Sequence, residues 1–228
     1  MSLKDLAPIV SKTELIKFDD VVRIDVGQEG NQKTFVTNPN VLTTRSQFFK
    51  KALSGVWQES YDRVVKLPDD HPEVFALYIH YIHAGTLPVT PDTNSSVQEG
   101  HEENKALAQL YVLAEKLQDT MTKNTVIKAF LVIILMCRED GVARHKPKAE
   151  AIKIIYDGTP AGSMARKLFV DVYVYDIVVG WDPKDPSWPQ EFLVEIAAEF
   201  LTHHEVYRKC NKTRGKYHHK AYLEEEVK

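Results

Sequence analysis

Cysteine is scarce: the 228-residue chain has two, Cys137 and Cys210. That makes a disulfide framework implausible, and a reducing compartment, cytosol or nucleus, is the expected setting. Long apolar runs are missing too. The longest, Ala129 to Cys137, is about half of the ~20 residues that a membrane-spanning helix needs. The opening MSLKDLAPIV has no positive flank followed by an apolar stretch, so no secretory leader is expected. No excess of one charge sign exists either. The 29 Lys and Arg face 32 Asp and Glu, for a net charge of −3, which argues against a chain governed by nucleic acid or an anionic membrane. With 10 Gly and 11 Pro, collagen-like and low-complexity classes are excluded. What is present is ordinary for a globular protein: 43% hydrophobic and 27% charged residues. A chain of this length buries roughly 70–75% of its unfolded surface, enough for a core without disulfides or metal.

The chain has no internal repeat, and its patterning changes along its length. Val22, Ile24 and Val26 alternate with Arg23 and Asp25, then QEGNQ and KTFVTN follow. Two short strands around a glycine-containing loop make a hairpin. Leu42, Phe48, Phe49, Ala52 and Leu53 have spacings that suit short helices, with Ser46 capping the second. Asp62 to Leu67 reads as a third strand. Pro72 opens a helix among acidic neighbours, a position where proline loses no needed hydrogen bond, and Gly85 stops it.

Residues 88–101 are polar and read as a loop. Helices are expected over Glu102–Leu117 and Thr120–Met136, and again from Pro147 to near Gly158. Thr159-Pro160 is a further helix start. Residues 168–181 fit both strand and helix. Trp181 to Pro189 is a proline-rich loop. Gln190 to Arg208 is a helix whose apolar set is Leu193, Ile196, Ala197, Phe200 and Leu201.

No catalytic constellation emerges. Gly27 and Gly30 lie between two strands, so they cannot present the amides of a helix N-terminus to a phosphate. P-loop, G-x-S-x-G and H-E-x-x-H motifs are absent. His80 and His83 are one helical turn apart but have no Cys or acid at ligand spacing. Packing beside Tyr81 and exposure to solvent are their expected roles. His203-His204 near Cys210, and His218-His219, fall in exposed-looking segments. Asp171 and Asp176 are five apart, about 140° around a helix, and do not make a carboxylate pair. Arg208 to Lys220 holds six Lys or Arg and no Asp or Glu, but Glu224-Glu225-Glu226 follows. That suits a solvated tail better than a phosphate-binding arm. No cofactor or metal is expected.

The order hairpin, two short helices, strand, helix, loop and two helices resembles the BTB/POZ domain. Asp20-x-x-x-Ile24-x-Val26-Gly27 is similar to the family's opening strand. Phe35 then precedes Val41-Leu42-Thr43-x-Arg45-Ser46-x-Phe48-Phe49, similar to its leucine–serine–Phe-Phe helix. Val64-x-Lys66-Leu67-x-x-Asp70-x-Pro72-x-x-Phe75 and Tyr81-Ile82-His83-x-Gly85 continue it. The spelling around Trp57 and Leu67–Phe75 resembles the fungal BTB proteins most. In those a Thr-Pro-x-x-Ser-x-x-Arg stretch often follows, here Thr159, Pro160, Ser163 and Arg166, and it favours helix for the ambiguous segment.

The resemblance implies an α+β fold: a short three-stranded sheet capped by a helical cluster over 19–136, then an all-α region over 147–208. A lead over 1–18 and a charged tail over 209–228 flank them. Asp20, Phe35, Leu42, Ser46, Phe48, Phe49 and Phe75 form the signature, which has structural roles first: the aromatic and leucine members as core, each contributing about 1.5–3 kcal/mol by burial. Tyr78 and Leu53 join that core.

The resemblance also implies a non-catalytic protein–protein interaction module with two candidate surfaces. One is the cullin contact of ubiquitin-ligase adaptors, a hydrophobic-x-acid motif just after the Phe-Phe helix, matched by Trp57-Gln58-Glu59. The other is self-association as a homodimer through the apolar lead, with Leu6, Ile9, Val10 and Leu15. A nucleic-acid-associated regulator using the basic tail is the alternative. In transcription-regulator members a basic residue after the second strand pairs with the opening Asp. Here Asn38 and Pro39 occupy those places, so Asp20 loses that partner.

Overall fold

A computed structural model describes residues 20–55, 58–89, 97–135, 146–175, 181–209 and 222–225. The chain opens with the expected hairpin, β1 (Val22–Val26) and β2 (Lys33–Thr37), paired antiparallel with Ile24 opposite Phe35. Alternation places Val22, Ile24 and Val26 fully inside. Gly27 ends β1 at φ +90°, and an added Cβ would come 2.9 Å from the Asn31 carbonyl oxygen and 3.0 Å from Pro72. Both the turn and the close approach therefore require glycine.

Two short helices follow, α1 (Pro39–Thr43) and α2 (Gln47–Ala52). Ser46 caps α2 as expected. Its Oγ accepts from the Phe49 N–H at 3.1 Å and donates to the Leu117 carbonyl at 2.6 Å, so one hydroxyl both starts a helix and ties it to the next layer.

The third strand starts later than the sequence implies. A five-residue helix, α3 (Gln58–Asp62), occupies the place expected for strand residue Asp62, and β3 is Val64–Leu67. The switch is made at Arg63, which takes φ +56°. β3 pairs parallel with β1, giving the order β2-β1-β3.

Helix α4 (Pro72–Ala84) has Pro72 in its first turn and ends on Gly85 at φ +73°, whose N–H caps the Tyr81 carbonyl. Helix α5 (Val97–Lys116) begins earlier than expected, so residues 97–101 are helical, not loop. Helix α6 (Thr120–Leu135) matches its expected extent among the described residues. Aromatic rings weld the sheet to these helices. Phe75 meets Phe35 at 5.0 Å, Phe49 at 6.5 Å and Tyr78 at 5.7 Å. Phe35, Phe48 and Leu53 pack on this core half-buried, while Leu42, Phe49, Phe75 and Tyr78 are fully buried.

The C-terminal helices are α7 (Ala149–Gly158), α8 (Met164–Tyr175) and α9 (Gln190–Lys209). α7 starts two residues after Pro147, and α8 starts at Met164, past Thr159-Pro160. Residues 168–175 are helix, which resolves the ambiguity there. These helices share the core of the sheet-bearing half. Phe130 of α6 meets Phe169 of α8 at 5.0 Å, and Gly158 of α7 lies so close to α5 that a Cβ would come 2.4 Å from Val112.

Arg166 explains the Thr159–Arg166 stretch. Its guanidinium donates to the Tyr156 carbonyl at 2.6 Å, to the Thr159 carbonyl and Oγ1, and to Glu191 at 2.7 Å. It also lies 4.4 Å over the Tyr156 ring.

Phe200 and Leu201 of α9 are exposed, and its inward face is set by Phe192, Leu193 and Ile196. Beyond the basic run, Tyr222 is buried and donates to Asp171 at 2.8 Å. Glu224 takes the Lys123 ammonium at 2.6 Å, and its backbone pairs with Asn124. Residues 222–225 therefore pack at the seam between α6 and α8.

Candidate interaction surfaces

Glu59 stands on α3, immediately after the helix that carries Phe48 and Phe49. It is half-buried and lines a groove of about 560 Å³ at the meeting of α2, α3 and β3. The floor is apolar, from Phe48, Ala52, Val64 and Val65. The rim mixes signs, with Glu59 and Asp62 against Lys51 and Lys66. Such a groove suits an apolar anchor flanked by polar groups. Trp57 lies outside the described residues, as do Leu6, Ile9, Val10 and Leu15 of the lead.

Asp20 does find a cation, though not at Asn38 or Pro39. Arg63 reaches it as an ion pair, and both side chains remain partly exposed. Arg63 is placed for this by its left-handed backbone at the α3–β3 junction. Pro39, Asn40, Thr43, Lys50 and Leu53 complete the hollow around the pair. The loss of Asp20's expected partner is thus made good from the turn between α3 and β3, a compensation that no local spacing announces.

Beneath these surfaces lies Asp119, which the sequence reading did not single out. It directly precedes α6 and is fully buried. Its carboxylate accepts from the Thr122 N–H at 2.9 Å and hydroxyl at 2.7 Å, from Tyr78 at 3.2 Å and from Arg45 at 3.4 Å. Burial first, then the adjacent Asp119 charge, pushes the Tyr78 hydroxyl far above its ordinary range. Arg45 also lies 4.7 Å over the Tyr81 ring. A carboxylate at the positive end of α6 suits the helix dipole, so Asp119 is a structural centre, not a reactive one.

Both histidines of α4, His80 and His83, are exposed, not one packed and one exposed. His83 shares a 2.8 Å hydrogen bond with Thr37. Among the described residues no group of three His, Cys, Asp or Glu could hold a metal. No helix there is long and apolar enough to cross a membrane. Cys137, Cys210, Asp176, the His203-His204 and His218-His219 side chains and the basic run Arg208–Lys220 lie outside what the structure describes.

The chain was compared with protein-family models on its sequence. The model of the BTB/POZ domain matches residues 16–129, half of the 228 residues. That span runs through the hairpin, the Phe48-Phe49 helix, β3, α4 and α5 into α6, the elements that build both surfaces above. The chain belongs to the BTB/POZ domain family, a family of protein–protein interaction modules, and its partners are proteins.

Proposed function

We propose that this chain is a substrate adaptor of a cullin-type ubiquitin ligase and meets the cullin through Trp57 and Glu59. The observation that carries this reading is the position of Glu59: half-buried, one helix after Phe48-Phe49, on the rim of an apolar groove. A carboxylate beside an apolar floor can fix the register of a docked helix while the floor supplies the contact area. The C-terminal helices would then supply the second surface. An intracellular setting, cytosol or nucleus, goes with this reading.

Calorimetric titration with the N-terminal region of a cullin tests it, with circular dichroism as the folding control. Glu59→Arg is expected to weaken binding by about 30-fold, the size of a ~2 kcal/mol hot spot, and Trp57→Ala by a similar factor. Unchanged affinity in a folded Glu59→Arg protein overturns the adaptor reading.

A second reading, a homo-oligomerising scaffold, is favoured by Val21 and Val36. Both are exposed, in and beside the hairpin that the apolar lead enters. That reading joins Leu6, Ile9, Val10 and Leu15 to a second copy, and the solution mass of the full chain separates the two.

A further inference from the structure

The C-terminal helices carry an aromatic corner that neither surface above uses. Its walls are Tyr173 of α8 and Trp181 and Trp188 of the loop before α9. The two indoles stand at 85° with ring centroids 6.3 Å apart. Tyr173 meets Trp181 at 5.4 Å and Trp188 at 5.5 Å, both edge to face. Rings this close to perpendicular form a corner, not a stack. Tyr173 is buried at its base, while both indoles stay partly exposed. The corner opens into a hollow of about 570 Å³ bounded by His101, Glu102 and Lys105 of α5 and by the first turn of α7.

The base of the corner is fixed by packing: Tyr173 and Trp188 also meet Phe192, at 5.2 and 5.8 Å, and the Trp188 indole N–H donates to the Asp182 carbonyl at 2.9 Å.

The rim is acidic as well. Glu102, Glu150, Asp182 and Asp185 face Lys105 and Lys148, and Lys105 is already paired with Glu150 at 2.6 Å. Asp182 and Asp185 are exposed yet held in place, each accepting a backbone N–H two residues on, from Lys184 and Ser187, at 2.9 Å. The Ser187 backbone N–H also draws the Asp185 carboxyl below its usual range. Aromatic faces and an anionic rim together favour a cation on an apolar stem.

We propose that this corner binds a lysine side chain from a basic segment of a partner protein. The ammonium lies against Trp181 and Trp188, its stem packs in the hollow, and Asp182 and Asp185 hold the flanking basic residues. An acidic segment is repelled by the rim. The site is separate from the Glu59 groove and stands whether or not that groove takes a cullin.

The test uses the full chain, labelled with ¹⁵N, and a Gly-Ser peptide carrying three lysines. Three tryptophans give three indole N–H signals. The peptide is expected to shift those of Trp181 and Trp188 and leave Trp57 in place. Acetylating the lysines removes the charge and should weaken binding about tenfold, or ~1.4 kcal/mol. Asp182→Asn with Asp185→Asn keeps both turn-forming oxygens and removes the rim charge. It should weaken the lysine peptide about threefold and leave the protein's spectrum folded. Three results each overturn the proposal: no indole shift with the lysine peptide, equal binding of the acetylated peptide, or undiminished binding by the folded Asn variant.

Discussion

In the sheet-bearing half, residues 20–135, the most deeply buried charge among the described residues is the Asp119 carboxylate. In the C-terminal helices, residues 146–209, it is the Arg166 guanidinium. The two are satisfied in mirror fashion. Asp119 sits at the start of α6, where backbone N–H groups point outward, and takes the Thr122 N–H. Arg166 reaches the end of α7, where carbonyls point outward, and takes those of Tyr156 and Thr159. Each charge thus stands at the helix end whose dipole and unpaired backbone groups suit its sign.

The difference lies in reach. Asp119 gathers Arg45 and Tyr78 from 74 and 41 residues away, so it ties distant elements together. Arg166 collects most of its partners from the preceding turn, 7 and 10 residues back, and only Glu191 from farther on. One centre assembles a tertiary fold; the other closes a local helix junction and then docks α9.

That contrast can be broken at either centre. Asp119→Ala removes the acceptor of a half-buried guanidinium, a buried phenol and a helix N-terminus at once. A loss of about 3–5 kcal/mol is expected, as for breaking a buried ion pair, read by urea unfolding. A loss under 1 kcal/mol would show that water or rearrangement replaces Asp119, and that it is not the centre described here. Arg166→Lys keeps the charge but loses the fork that serves Thr159, Tyr156 and Glu191 together. It should cost about 2–3 kcal/mol. Equal stability of the lysine variant would mean that charge alone, not the shared geometry, holds the junction.

How much of this was legible in the sequence follows the same division between local and distant. The hairpin, the Ser46 cap and the Pro72–Gly85 helix were readable because strand alternation, capping and the proline–glycine asymmetry are short-range signals. Helix α3 was not: a single turn has too few residues to show a period, and its neighbour Arg63 departs from the ordinary backbone regions. The Thr159–Arg166 spacing is legible through resemblance, and its cause is local: Arg166 bonds Thr159 and Tyr156. Asp119 escaped because its meaning depends on Arg45 and Tyr78, which only the fold brings near.

At the surfaces, Glu59 stands out in the sequence through its place in a hydrophobic-x-acid motif. The Arg63 partner of Asp20 was not, because it replaces a residue expected elsewhere. The Tyr173–Trp181–Trp188 corner leaves one trace in the sequence: two of three tryptophans fall in one proline-rich loop.

Both centres serve one core, since Phe130 and Phe169 meet across the halves and Gly158 of α7 is pressed onto Val112 of α5. Native-state hydrogen exchange, comparing the buried amides of α6 with those of α8, tests that claim most directly. The account predicts the same opening free energy for both sets, equal to that of global unfolding. Gly158→Ala, which forces a methyl into Val112, should lower both together by about 1–3 kcal/mol. Exchange of α8 through a separate, lower-energy opening while α6 stays protected, in the wild type or in Gly158→Ala, would contradict it and make the C-terminal helices a unit of their own.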